Sequence, residues 1–183
     1  MKKIAIGICV IVLLSGVSFA QENPGASVMG GLTFPTGDFG DVYGTGFGLK
    51  GVFQYPLNPA LYVTGTTGLM RWSDDLLFLG ETLETSLTSI PVLGGIRLFF
   101  TEGDISPYAN GEIGFHILTS KVSGFGESES DSDIEFGFGF GGGVLYALTS
   151  TLFLDANLQY NSISGEGSSL NFFSLFVGIH IPF

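Results

Sequence analysis

The sequence predicts an all-β fold: an eight-stranded antiparallel barrel, wound as an up-and-down meander, whose strands cross a membrane. Three observations carry this expectation. Apolar and polar residues alternate with period two from Ser27 to Phe183, and helical periodicity of any length is absent. The connectors between alternating segments are short and long in turn. The composition is 45% hydrophobic and only 13% charged, with 29 glycines and a mean hydropathy of +0.45, yet no run of about 18 apolar residues exists that would cross as a helix.

The first segment stands apart from the barrel. Met1-Lys2-Lys3 is basic, Ile4 to Leu14 is apolar but short, and Ser18-Phe19-Ala20 is a small-x-Ala cleavage site. Residues 1–20 therefore read as a signal peptide cut between Ala20 and Gln21, and residues 21–183 as one barrel domain. Cys9 leaves with the leader, so the mature chain is expected to form no disulfide and no thiol site. The residues before it, Ile6-Gly7-Ile8, do not form a lipoprotein cleavage box. Lys50, Arg71, Arg97 and Lys121 then face 17 acidic residues, which argues against a nucleic-acid partner, since phosphate backbones demand clustered bases.

Eight alternating segments follow, near 26–34, 45–55, 60–71, 87–100, 107–118, 134–147, 151–161 and 171–183. Short connectors hold turn residues: Pro56-Leu57-Asn58-Pro59, Thr101 to Ser106, and Leu148-Thr149-Ser150. Longer polar ones cover 35–44, 72–86, 119–133 and 162–170. That rhythm is the one a membrane barrel shows, with short turns on one side and long loops on the other.

The faces separate a membrane barrel from a soluble one. One face of the second strand carries Phe47, Leu49, Phe53 and Tyr55, the other Lys50, Val52 and Gln54. The fourth sets Ile90, Val92, Ile96, Leu98 and Phe100 against Ser89, Pro91, Leu93, Arg97 and Phe99. The seventh and last strands divide in the same way, with Asp155, Asn157, Gln159, Ser174 and His180 on the polar face. A soluble, lipocalin-like barrel would turn its charged face outward, but so few charges make a poor water-exposed surface. Turned inward they make a polar lumen, and the apolar face becomes a lipid-facing band. Tyr55, Phe100, Tyr146 and Phe183 end the four descending strands on the outward face, where an interfacial aromatic girdle belongs, and Phe34 and Tyr160 fit an outer girdle.

Phe176-Val177-Gly178-Ile179-His180-Ile181-Pro182-Phe183 resembles the terminal strand by which outer-membrane barrels are recognised for assembly, with Gly178 and Phe183 as its matching residues. Ile181 and Phe176 depart from the usual aromatic and polar residues at their positions. The mature chain as a whole resembles the small eight-stranded OmpA and OmpX family, and Gly31 to Phe39 followed by Thr45-Gly46-Phe47-Gly48 resembles the porin-like β-barrel domain group of Gram-negative outer membranes. The resemblance implies export to the bacterial outer membrane, contact with its lipids and with the barrel-assembly machinery, and no cofactor. With nothing after Phe183, no peptidoglycan-binding domain of the OmpA kind is expected.

Candidates for chemistry are few. Gly137-Phe138-Gly139-Phe140-Gly141-Gly142 matches G-x-G-x-x-G, but Val144-Leu145-Tyr146 continues a strand where a phosphate cradle needs a helix. These glycines instead make room in the lumen, for bulky neighbours or for water. His116 and His180 both fall on the lumen face, and neither has the Ser two residues away that outer-membrane lipid A deacylases show. No close His, Asp or Glu spacing points to a metal. The acids at 127, 129, 131 and 133 read as a solvated loop, with weak cation binding as the sharper alternative. Leu76-Leu77-Phe78-Leu79 interrupts the second long loop as a partner contact or a strand extension.

The expected function is therefore non-enzymatic: a structural or surface-interaction barrel with a largely plugged lumen, the alternative being a narrow channel or small-ligand barrel. Lys50, Arg97, Glu112 and Asp155 lie on lumen faces at similar heights and are expected to form a neutral interior charge cluster.

Overall fold

The computed structural model describes residues 23–78, 81–101, 103–124, 127–165 and 169–183. The expected leader, with Cys9, lies outside the described residues, as does Leu79. Eight strands form: β1 (Gly25–Thr36), β2 (Gly46–Pro56), β3 (Leu61–Phe78), β4 (Glu81–Phe99), β5 (Ile105–Gly124), β6 (Glu127–Ala147), β7 (Phe153–Ser164) and β8 (Ser169–Pro182). A five-residue helix, α1 (Asp38–Val42), stands between β1 and β2. Each strand pairs antiparallel with the next, and β8 pairs with β1 from Gly25↔Pro182 to Thr36↔Asn171, so the barrel closes without an open edge along that seam.

The turns are built by the residues that the sequence places there. Asn58 Oδ1 accepts from the backbone N–H of Ala60 and Leu61 at 3.0 and 2.9 Å, an Asx turn between Pro56 and Pro59. Gly103 turns with a φ of 138°, and Ser106 Oγ donates to its carbonyl at 3.0 Å. At the other end Gly37, with a φ of 61°, aims the chain from β1 into α1.

Alternation settles the faces as the sequence implies. Leu49, Val92, Ile96, Phe115, Phe140, Leu158 and Ile179 are exposed outward, while Lys50, Gln54, Arg97, Glu112, Asp155, Asn157, Gln159 and His180 are buried inside. Phe140, Tyr160, Phe173 and Phe34 occupy paired positions in one row across β6, β7, β8 and β1, with adjacent ring centroids 5.5 and 5.3 Å apart around Tyr160.

Two long connectors differ from expectation. Residues 72–86 and 119–133 are not loops: β3–β4 pair up to Phe78↔Glu81 and β5–β6 up to Gly124↔Glu127. The register explains how an acidic run joins a sheet. Asp131, Asp133 and Glu135 face Ser120, Leu118 and His116 across the ladder, so no carboxylate opposes another there. The four central strands therefore rise well beyond β1, β2, β7 and β8 as two tall hairpins.

Candidate functional site: a wired lumen beneath an aromatic cap

The lumen is organised around Asp155, fully buried on β7. Arg97 of β4 pairs with its Oδ2 at 3.1 Å, Ser27 of β1 donates to the same oxygen at 2.8 Å, and Tyr108 of β5 donates to Oδ1 at 2.6 Å. The Arg97 guanidinium also lies 4.0 Å from the centroid of the Tyr108 ring, and donates to Gln54 Oε1 at 3.0 Å. The hydrogen bonds then close a ring. Ser27 spends its proton on Asp155, so His180 Nδ1, 3.1 Å away, is assigned as the donor to Ser27 Oγ. That leaves His180 Nε2 to accept from the Gln54 amide at 3.3 Å. Five residues from β1, β2, β4, β7 and β8 are thereby joined in one ring, with Arg97 Nε left as its one buried donor without a hydrogen-bond partner.

A second set runs above the first. Lys50 Nζ donates to Asn157 Oδ1 at 2.9 Å and lies 4.8 Å from the Phe176 ring centroid. Asn157 donates to Asn110 Oδ1 at 3.0 Å, Asn110 to Gln159 Oε1 at 3.3 Å, and Gln159 to Glu112 Oε2 at 2.9 Å. Thr66 completes Glu112. Among the sequence-predicted charges, Arg97 and Asp155 thus pair directly. Lys50 and Glu112 do not: among the described residues Lys50 has no carboxylate within 4.0 Å, because three amides from β5 and β7 stand between the two. Each amide donates onward toward the carboxylate, so the chain of dipoles joins the opposite charges without contact.

The β6 glycines make room for these side chains rather than for water. A Cβ at Gly137 would strike the His116 ring, at Gly139 the Gln159 and Asn161 amides, and at Gly143 the Tyr108 phenol. His116 is buried with Nδ1 3.0 Å from Ser89 Oγ.

Toward the tall hairpins the lumen turns apolar. Met70, Trp72, Leu87, Ile163, Phe172 and Phe176 are buried in one cluster that continues down to Met29 and Val52 beside the polar set, and α1 inserts Phe39 among them. Phe39 sits 5.3 Å from Trp72 and 6.4 Å from Phe172, and Trp72 and Phe172 are 5.1 Å apart, all edge-on. Tyr43 packs tilted against Phe39 with ring centroids 5.5 Å apart, and burial pushes its phenol above the ordinary value. The first connector therefore straps across the mouth. At the opposite end, a cavity of about 360 Å³ opens among Gln54, Tyr62, Phe99, Phe153 and His180.

A Ser, a His and an Asp do meet, but wired in the wrong order for acyl transfer. A triad needs the imidazole between carboxylate and hydroxyl. Here Ser27 lies between Asp155 and His180, its proton already given to the carboxylate. Among the described residues, no group of three His, Cys, Asp or Glu side chains gathers to hold a metal. Sequence reasoning missed Ser27, Tyr108, Gln54, Asn110 and Thr66. The readable signal was the polar run at every second position of β7, Asp155, Asn157, Gln159 and Asn161, which needs partners of matching chemistry across the lumen.

Phe183, the expected assembly residue, is exposed on the outside with its ring 6.3 Å from Phe53, and its N–H donates to the Pro24 carbonyl at 2.8 Å. Gly178 sits between Asp155 and Met29 in the ladders.

No curated protein sequence matches the chain. Among solved structures, Neisserial surface protein A is similar at a TM-score of 0.62 and 20% identity, covering 91% of this chain and 100% of that one. The attachment invasion locus protein Ail of Yersinia pestis follows at 0.57 and 19%, covering 88% and 100%. The outer membrane protease OmpT from Escherichia coli is similar at 0.52 and 8%, covering 92% and 99%, so a barrel of this general shape also carries an enzyme. At such identities these likenesses speak for the fold alone. A model of the outer membrane protein beta-barrel domain matches residues 6–180, and with the closed eight-stranded meander as its frame the chain belongs to that family of outer-membrane β-barrels.

Proposed function

We propose that this outer-membrane barrel is a non-enzymatic structural or surface-interaction protein whose lumen does not conduct. The observation that supports this reading is the continuous interior: a hydrogen-bonded polar set around Asp155 below, and the Phe39–Trp72–Phe172 cluster above. An eight-stranded interior has room for little more than its side chains. Ser27, Asp155 and His180 serve this reading as structural partners, with the hydroxyl between the carboxylate and the imidazole. The tall β3–β4 and β5–β6 hairpins supply the surface available to partners. In planar bilayers the wild-type barrel is expected to give no defined single-channel steps, whereas Phe39→Ala opens the outer mouth and raises brief openings. Steady ohmic conductance from the wild type would favour the channel instead.

A second reading rests on the cavity of about 360 Å³ at the end opposite the strap, where the aromatic rings of Tyr62, Phe99 and Phe153 meet the polar ends of Gln54 and His180. A small amphipathic ligand suits that lining.

The leader 1–20, removal after Ala20, and recognition of Gly178 and Phe183 by the barrel-assembly machinery belong to the same proposal. The protein is expected in the outer-membrane fraction, starting at Gln21, with an apparent mass that shifts on heating in detergent. Recovery from the soluble periplasm, or a membrane form that retains Met1, would count against it.

A further inference from the structure

The outward faces of the four tall strands change character along a single ladder row. Ile90, Ile117 and Ile134 are paired neighbours on β4, β5 and β6 and close the apolar band. The next row is Arg71, Thr88, Thr119 and Ser132, and the one beyond it Ser73, Ser86 and Lys121. Such an edge marks where hydrocarbon gives way to headgroups.

The placement of charge at that edge is selective. The barrel domain has four Lys and Arg residues against 17 acids. Lys50 and Arg97 are buried in the lumen. The other two, Arg71 and Lys121, are both exposed on the outward face within these two adjacent rows, on either side of β4. Among the described residues neither has a carboxylate within 4.0 Å. Two strands and one row separate them, about 10 Å sideways and about 7 Å along the strand. Both side chains are long enough to close on one group seated above Thr88, which pairs with Arg71 across the ladder and lies one row from Lys121 on the neighbouring strand.

We propose that Arg71 and Lys121, with the Thr88 hydroxyl, bind the phosphate of an outer-leaflet lipid headgroup. Charge complementarity supports this occupant: the barrel domain is otherwise strongly acidic, and its two outward cations stand at the depth where lipid phosphates lie. A guanidinium and an ammonium around one phosphate supply charge-assisted hydrogen bonds, and the Thr88 hydroxyl supplies a neutral one. The site is independent of whether the lumen conducts.

The test uses the full barrel in phosphatidylcholine nanodiscs doped with diphosphoryl lipid A or its dephosphorylated form, reading bound lipid by native mass spectrometry. The wild type is expected to retain the phosphorylated lipid about tenfold better, and Arg71→Gln with Lys121→Gln to abolish that preference. Arg71→Lys with Lys121→Arg, which keeps both charges, restores most of it, and excess inorganic phosphate leaves it intact. Both positions are exposed, and the heat-dependent mass shift checks that the variants fold. Equal retention of the two lipids by the wild type overturns the proposal, as does a preference that survives in the double Gln variant. Displacement by inorganic phosphate alone assigns the site to free phosphate and overturns the lipid reading.

Discussion

Asp155→Ala is expected to lower the unfolding free energy by about 3–5 kcal/mol, the largest effect of any single side-chain truncation in the lumen. The loss comes from what stays behind. Arg97, only 3% exposed, keeps its charge without a counter-ion, and Tyr108 and Ser27 lose the acceptor to which both donate. Replacing the pair together, Arg97→Met with Asp155→Leu, should recover a good part of the loss, because an apolar pair of similar volume needs no desolvated charge. Urea unfolding in lipid vesicles, followed by the heat-dependent gel shift, gives all three numbers. A loss under about 1 kcal/mol for Asp155→Ala would place the pair in the range of exposed ion pairs, and the account of a dry polar core would fail.

Gly178→Val is expected to abolish the closed barrel. A Cβ at this position would run into the Val28 carbonyl and the Met29 Cα of β1, backbone atoms that no rotamer change can move. Nothing lies within 4 Å of a Cβ at Gly94, so Gly94→Val is the matched control and should assemble normally. Refolding from urea into vesicles separates steric failure from failed recognition by the assembly machinery. The steric account requires Gly178→Val to fail there too; success in vesicles with failure only in cells would make Gly178 a recognition element instead.

The strand count, the closing order and the two faces were legible because period-two alternation records which side of a sheet meets lipid. On β2, β4 and β8 the outward and inward residues separate as the alternation implies. The tall hairpins were not legible. Acids at every second position look like a solvated loop until the register shows each of those described facing a neutral partner, and register is a property of two strands. The lumen was half legible. Parity placed Lys50, Arg97, Glu112 and Asp155 inside, but which charge reaches which depends on the side chains between them, and Asn110 of β5 lies 47 and 49 residues from its partners Asn157 and Gln159 of β7. The cap was hidden for a different reason. Phe39 lies in a short segment rich in glycine and aspartate, and only its contacts with Trp72 and Phe172 make it core.

The wiring of Asp155 has a kinetic meaning as well. Its partner Ser27 is 128 residues away, and Ser27 in turn meets His180 across 153 residues, so these bonds form only when β8 has come round to β1. Contacts of such high order are reached late, after most of the loop-closure entropy has been lost, and they make folding slow. Until then β1 and β8 each present an unpaired ladder of N–H and C=O groups, able to template the addition of a strand from another chain. The same event that ends this exposure buries Asp155 among its donors. Closing the seam and charging the network are therefore one cooperative step, and an almost-closed barrel has little reason to persist.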